Sequence, residues 1–228
     1  MSFGVVAIDG PSASGKSTVA RRVARELGAL YVDSGALYRG IAWNVLEKGG
    51  DPADWGGVSR LLAEMDVCFF EIDGEVRFRI DGKEPGKELR TPEIDRAVSP
   101  VAANPDVRSR ATAWLRAEVS FGVLVMEGRD IGTAVFPQSG CKFYLNASAE
   151  ERSRRRYSQF REGDGEADGD DDQSGMNEVE DALQARDRVD STRKTAPLKV
   201  ADDAVVIDST KMDVEQVVSL IVTKCRQA

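Results

Sequence analysis

The chain has 228 residues, enough for one substantial core with a small insertion, and an ordinary soluble composition. Its 31 basic and 39 acidic residues leave a formal charge of −8, and the lack of histidine excludes Ser-His triads, imidazole acids and H-E-x-x-H chemistry. Seven acids (Glu162, Asp164, Glu166, Asp168, Asp170, Asp171 and Asp172) crowd into one stretch, so the remainder is near neutral and no nucleic-acid-tracking basic face is indicated. Cys68, Cys141 and Cys225 are far apart, which argues against a disulfide framework or zinc site, and Cys141 and Cys225 read as core. No basic-then-apolar leader precedes Val5, and no apolar run reaches membrane-spanning length. A reducing cytoplasm, no membrane partner and a monomer are expected.

The apolar run Val5–Ile8 reads as a buried strand that leads into Gly10, Pro11, Ser12, Ala13, Ser14, Gly15, Lys16, Ser17 and Thr18, a full match to G-x-x-x-x-G-K-[ST]. Val19, Ala20, Val23, Ala24 and Leu27 then recur at helical spacing, and Gly28 stands where a helix would stop. Glycines let successive backbone N–H groups converge on phosphate oxygens, and the helix start adds its positive dipole end. Lys16, surface-facing by motif, would neutralise β/γ-phosphates, and the Ser17 hydroxyl would ligate Mg²⁺. A nucleoside triphosphate is the ligand this implies.

Leu30–Val32, Val123–Met126, Lys142–Leu145 and Ala204–Ile207 are four further strands, separated mostly by helical patterns. The alternation predicts an α/β fold with a five-stranded parallel sheet, its chemistry at the carboxyl ends of the strands. Val67–Ile72, the turn Asp73-Gly74 and Glu75–Ile80 break the alternation as a type I′ hairpin, suggesting an antiparallel insertion over about residues 60–100, after a helix at Ala36–Leu46. Another helix starts at the Asn104-Pro105 cap and carries Val107, Ala111, Leu115 and Val119. Ser148 and Glu151 form a capping box before Arg152, Arg154, Arg155 and Arg156. The acidic stretch through Gly175 reads as a mobile loop, and Asn177 as the cap of a helix running towards Arg193. Asp213 caps a last helix with the stripe Val214, Val217, Val218, Ile221 and Val222.

Three polar clusters stand out beyond the phosphate loop. Asp33, Ser34, Gly35, Ala36, Leu37, Tyr38 and Arg39 join a strand end, a helix start and a cation; Ser34 doubles as a candidate N-cap. Glu127, Gly128, Arg129 and Asp130 follow the central strand. In the run Arg186 to Arg193, Arg186, Asp190 and Arg193 share one helical face, whereas Asp187 and Arg188 read as a solvated ion-pair ladder.

In this order the motifs resemble the bacterial cytidylate kinases, within the nucleoside monophosphate kinases. The match includes Glu127 to Thr133, Val135 to Pro137, Arg186 to Leu198 and Asp208 to Thr210, and spans nearly the whole chain. The resemblance implies one phosphate-loop kinase domain over residues 1–228, with an NMP-binding insertion and a helical lid at about 152–178. It implies ATP with Mg²⁺ as donor and CMP or dCMP as acceptor. Ser34 and Tyr38 belong to the matched acceptor segment. By position Ser99, Arg108 and Asp130 resemble the readers of the cytosine edge, and Arg39, Arg129 and Arg193 the clamp on the acceptor phosphate. Arg186 and Asp190 resemble the ribose contacts, and Arg152 and Arg155 the lid arginines. The acidic insertion Gly163–Gly175 departs from the family's short basic lid and is expected to point outward.

Two other readings stay open. Thr210, Lys211, Met212 and Asp213 resemble the guanine-reading T-K-x-D element of a GTPase switch, although Asp213 also explains itself as a cap and no D-x-x-G follows an apolar strand. A kinase for adenylate or shikimate shares the loop and the fold. Arg129-Asp130 and Arg186 to Arg193 argue against it.

Overall fold

The computed structural model describes residues 4–164 and 173–227. Strand β1 (Val5–Asp9) is buried along its whole length because both of its faces are apolar. Val6 and Ile8 pack under α1 (Lys16–Leu27) and α8 (Val214–Gln227), while Val5 and Ala7 belong to the core on the opposite face. That second core is roofed by α2 (Ser34–Glu47), α3 (Trp55–Glu64), α4 (Pro92–Ala103) and α5 (Pro105–Ala117). The same two-residue period divides β5 (Leu124–Gly128), with Leu124 and Met126 on one side and Val125 on the other.

The sheet has seven strands in the order β3-β4-β2-β5-β1-β6-β7, and this corrects the expected five. β2 (Leu30–Asp33), β6 (Cys141–Asn146) and β7 (Val205–Asp208) complete the expected parallel set. The hairpin β3 (Val67–Ile72) and β4 (Glu75–Ile80) joins that set instead of standing apart, because β4 lies parallel to β2 through Tyr31 and Glu75. The Tyr31 N–H donates to the Gly74 carbonyl at 2.9 Å, which holds the turn against β2. Asp73 and Gly74 have φ of 52° and 76°, as a type I′ turn requires.

The parallel strands run one residue further than their apolar runs, so Asp9, Asp33, Asn146 and Asp208 are terminal strand residues. Backbone pairing continues past the last apolar side chain: Asp33 lies opposite Glu127, and Asp9 opposite Gly128 and Tyr144. One sheet edge therefore collects four polar chain ends beside the phosphate loop.

Helices α3 and α4 have no counterpart in the pattern reading. Pro100 sits inside α4 and masked it, although Thr91 caps the start through its Oγ1 and Pro92 occupies the first turn. The Asn104 cap of α5 forms as expected, with Oδ1 accepting from Asp106 N at 2.9 Å. Asp33, not Ser34, caps α2 by accepting from Ala36 N at 2.9 Å.

Only half of the Ser148 box forms ahead of α6 (Ala149–Asp164). Ser148 Oγ accepts from Glu151 N, but Glu151 is taken by Arg154 and Arg155, and Ser148 N donates to Thr210 Oγ1. The expected loop Gly163–Gly175 is shorter at both ends, since α6 reaches Asp164 and α7 (Gln173–Thr192) starts four residues before Asn177. Its middle, 165–172, lies outside the described residues. Cys141 and Cys225 are buried and Cys68 is exposed, all as free thiols. No helix among the described residues is long and apolar enough to cross a membrane.

Asn104 is buried and also donates to Trp55 O at 3.1 Å and Ser59 Oγ at 3.3 Å, so one amide ties α5 to α3. Asn104→Ala should cost about 1–3 kcal/mol, read by urea unfolding, because a cap and buried partners are lost together. A loss below about 0.5 kcal/mol would mean that apolar packing alone sets this junction.

Candidate active site

The phosphate loop is shaped from below. Gly10 has φ 154°, and a Cβ there would lie 2.1 Å from the Leu145 carbonyl oxygen, so only glycine lets the chain turn beneath β6. Gly15, at φ 90°, is the N-cap of α1, and no side chain caps the helix. No acidic residue occupies its first turn, so its amide donors and dipole are offered to an anion.

Lys16 departs from its expected surface position. It is buried, and its Nζ folds back to donate to Pro11 O at 2.6 Å and Ser14 Oγ at 3.4 Å. Burial, followed by the neighbouring Arg129, lowers its pKa to about 7. A phosphate beside this amine would offset both effects and restore its charge.

Ser17 Oγ donates to the Glu127 carboxylate, which also accepts from the Tyr31 hydroxyl at 3.0 Å. Desolvation and nearby Glu127 raise the Asp33 carboxyl. Asp9 instead terminates the turn Ile131–Val135, accepting from Ile131 N at 2.8 Å and Gly132 N at 2.7 Å, and burial lifts its pKa to about 6. The hydroxyl of Ser17 with Glu127 and Asp33 makes an all-oxygen set of the kind a hard cation takes. No group of three or more His, Cys, Asp or Glu among the described residues forms a metal cage. A shared site, completed by water and phosphate oxygens, is what such a set fits.

One cleft of about 1580 Å³ runs from Ser12–Thr18 past Ser34, Tyr38 and Arg39 to Ser99, Arg108, Arg129, Asp130, Arg186, Asp190 and Arg193. Of the expected site residues, Gly10, Pro11, Arg152 and Arg155 do not line the cleft. Those two arginines reach the loop's backbone, Arg152 donating to Ser12 O at 3.1 Å and Arg155 to Ser14 O at 3.2 Å, and Arg155 also donates to Ser209 O just after β7 at 2.9 Å.

At the far end of the cleft Arg108 and Asp130 form an ion pair whose side chains are 3% and 4% exposed. Arg193 reaches Asp130 and Asp190 at 3.4 Å each, which puts it beside this pair. Arg108 stacks on Tyr38 with its guanidinium 4.7 Å from the ring centre. Tyr38 Oη and Arg108 Nε are buried without a hydrogen-bond partner. Ser34 Oγ donates to Glu127 O at 2.7 Å and so locks α2 to β5. Between the two ends Arg129 donates to Ser12 Oγ at 2.8 Å and to Asp190 at 3.1 Å, bridging the loop and α7.

Two acids were not legible as site residues. Asp187, read as solvated, accepts from Ser12 N at 3.0 Å and pairs with Arg152, while its neighbour Arg188 is exposed as expected. Asp95 on α4 gathers Arg39, Arg156 and Arg186. Burial alone would raise the Asp95 pKa, but Arg39, Arg156 and Arg186 together hold it below its ordinary value. An Asp in the first turn of a hidden helix offered no motif to find it by. The guanine-reading alternative loses its key residue: Asp213 Oδ1 accepts from Gln216 N at 2.8 Å while Asp213 N donates to Gln216 Oε1 at 3.0 Å, a complete capping box.

A parallel sheet with a phosphate loop at its carboxyl edge and arginines across the cleft defines a nucleotide-binding phosphotransferase site. The profile of the cytidylate kinase family matches residues 6–227. The cytidylate kinase of Pelotomaculum thermopropionicum is 45% identical over 224 residues, covering 98% of this chain and 96% of that protein. That of Pseudomonas aeruginosa strain LESB58 is 43% identical over 226 residues, covering 98% and 95%. A bifunctional pantoate ligase/cytidylate kinase of Synechococcus strain CC9902 is 40% identical over 98% of this chain and 45% of its own length. The chain belongs to the cytidylate kinase family, and it is a kinase that phosphorylates a nucleoside monophosphate.

Replacing Arg108 by Met would strand Asp130 with Arg193 alone in a desolvated pocket. Breaking such a pair costs about 3–5 kcal/mol, whereas Arg108→Met with Asp130→Leu should recover much of the loss. Urea unfolding of both variants checks this. Equal stability of single variant and wild type would show that Arg108 contributes nothing to holding the pocket together.

Proposed function

We propose that the chain transfers the γ-phosphoryl group of ATP, with Mg²⁺, to CMP and dCMP. What carries the reading is the single cleft that joins an uncapped helix start and Lys16 to a cluster of arginines and a buried Asp-Arg pair. The acceptor's phosphate oxygen is already anionic at neutral pH, so no general base is required and the absence of histidine is no handicap. The chemistry then depends on positioning two polyanions in line and cancelling their repulsion.

Lys16 and the α1 amides take the donor phosphates, and Arg129, anchored between Ser12 and Asp190, stands where donor and acceptor meet. Ser17 would hold Mg²⁺, with Glu127 and Asp33 receiving its waters. The ion supplies charge cancellation on the transferred group. On the acceptor side the resemblance gives Arg39, Arg129 and Arg193 to the phosphate and Arg186 to the ribose. Since Arg186 shares Asp95 with Arg39 while Arg193 lies with the Arg108–Asp130 pair, Arg39 and Arg186 take the phosphate in this reading, and Asp190 accepts from a ribose hydroxyl. Asp130, Arg108 and Ser99 read the base: a carboxylate accepts from the exocyclic amino group of cytosine, which uracil lacks. The unpartnered Tyr38 Oη and Arg108 Nε supply two further donors there. Residues 1–228 act as one domain, in which the regions about 60–100 and about 152–178 close over the nucleotides. Closure would keep water from accepting the phosphoryl group.

A coupled assay of ATP consumption over a panel of monophosphates tests the reading. CMP and dCMP should exceed UMP, AMP and GMP in kcat/KM by about a hundredfold or more, since unpaired polar groups penalise the wrong base. Equal use of AMP, or no dependence on any pyrimidine monophosphate, would overturn it.

A further inference from the structure

Asp95 lies in the cleft on the first turn of α4, and Arg39 from α2, Arg156 from α6 and Arg186 from α7 converge on it. Asp95 Oδ1 accepts from Arg39 Nη1 and lies 3.7 Å from Arg186 Nη1, while Oδ2 accepts from Arg156 Nη2 at 2.9 Å. All four side chains are between 20% and 26% exposed, and so are partly desolvated but open to the cleft. Three guanidiniums from three helices thus share the Asp95 carboxylate, and Asp190 also acts on Arg186. Burial and the nearby Arg129 and Arg39 lower the Arg186 pKa to about 10, against the opposing pull of Asp190 and Asp95.

A structural ion pair needs one cation. Three, drawn from three separate helices, match the needs of a ligand with more oxygens and more charge than a carboxylate. A phosphate monoester offers three acceptor oxygens and two charges to the same guanidinium forks. We propose that Asp95 is a resident counter-ion that positions the acceptor-phosphate clamp. It keeps Arg39, Arg156 and Arg186 gathered until a phosphate arrives, then yields them, and so sets the KM for the acceptor. The inference rests on the reading that the acceptor is a phosphate monoester. Asp95 is a positioning residue here, because it acts through the arginines and not on the reacting atoms.

Asp95→Asn keeps the shape and removes the competing charge. The KM for CMP should fall about tenfold, as expected when a charged hydrogen-bond acceptor no longer has to be displaced, with the KM for ATP unmoved. A merely structural role would lower kcat and the melting temperature while leaving that KM in place. Inorganic phosphate gives a readout independent of activity: it should raise the melting temperature of Asp95→Asn more than that of wild type. If the variant fails to fold in phosphate-free buffer, added phosphate should restore it. An unchanged or higher KM for CMP, equal stabilisation by phosphate, or a fold that phosphate cannot restore would each overturn the proposal. A wild-type protein that does not use CMP would overturn the function proposed above, yet the phosphate comparison would still decide the role of Asp95.

Discussion

Partly buried cations must each have an anion within reach, and this requirement organises the cleft. A guanidinium stripped of water and left unpaired costs several kcal/mol. The chain collects Lys16, Arg39, Arg108, Arg129, Arg156, Arg186 and Arg193 along one wall-to-wall groove. Its own carboxylates answer them: Asp95 for Arg39, Arg156 and Arg186, Asp130 for Arg108 and Arg193, and Asp190 for Arg129 and Arg193. Among the described residues Lys16 has no carboxylate at hydrogen-bond distance, and it donates to the Pro11 carbonyl. The donors that phosphate would engage are thus held close to their working positions by groups weaker than phosphate.

The parallel sheet makes this crowding achievable. The parallel strands β1, β2 and β5 deliver Asp9, Asp33 and Glu127 to one edge, in register with one another. Helices leaving that edge present their N-termini to it, so the backbone adds positive potential without any side chain. The apolar roofs on both faces fix the helices, and the ion pairs then tie α4 and α7 across the opening. Cleft geometry is consequently a property of charge balance as much as of core packing.

Much of this was legible where a motif has one physical explanation. The phosphate loop, the Asp73-Gly74 turn and the Asn104-Pro105 cap all required specific backbone conformations, and each formed as the residues demanded. Arg186, Asp190 and Arg193 share a face because helical spacing leaves no other arrangement. Other features depend on tertiary pairing that spacing does not encode. Nothing local announces that Tyr31 pairs with Glu75, which turns an apparent insertion into two more strands. Asp187 sits beside an exposed arginine and reads as a surface charge until Ser12, far away in sequence, donates to it. Asp95 was hidden twice, by Pro100 in its own helix and by partners on three different helices. Lys16 matched its motif in identity but not in exposure, because its ammonium donates back to the loop's own Pro11 carbonyl, a contact that spacing does not encode.

If the cleft carboxylates stand in for phosphate, bound nucleotides should displace them. A crystal structure of the complex with a non-hydrolysable ATP analogue and CMP tests this most directly. Arg39, Arg156 and Arg186 should have moved from Asp95 onto the CMP phosphate, and Lys16 Nζ from Pro11 O onto the donor's phosphates. Both nucleotides bound with the Asp95 ion pairs and the Lys16–Pro11 bond intact would contradict it.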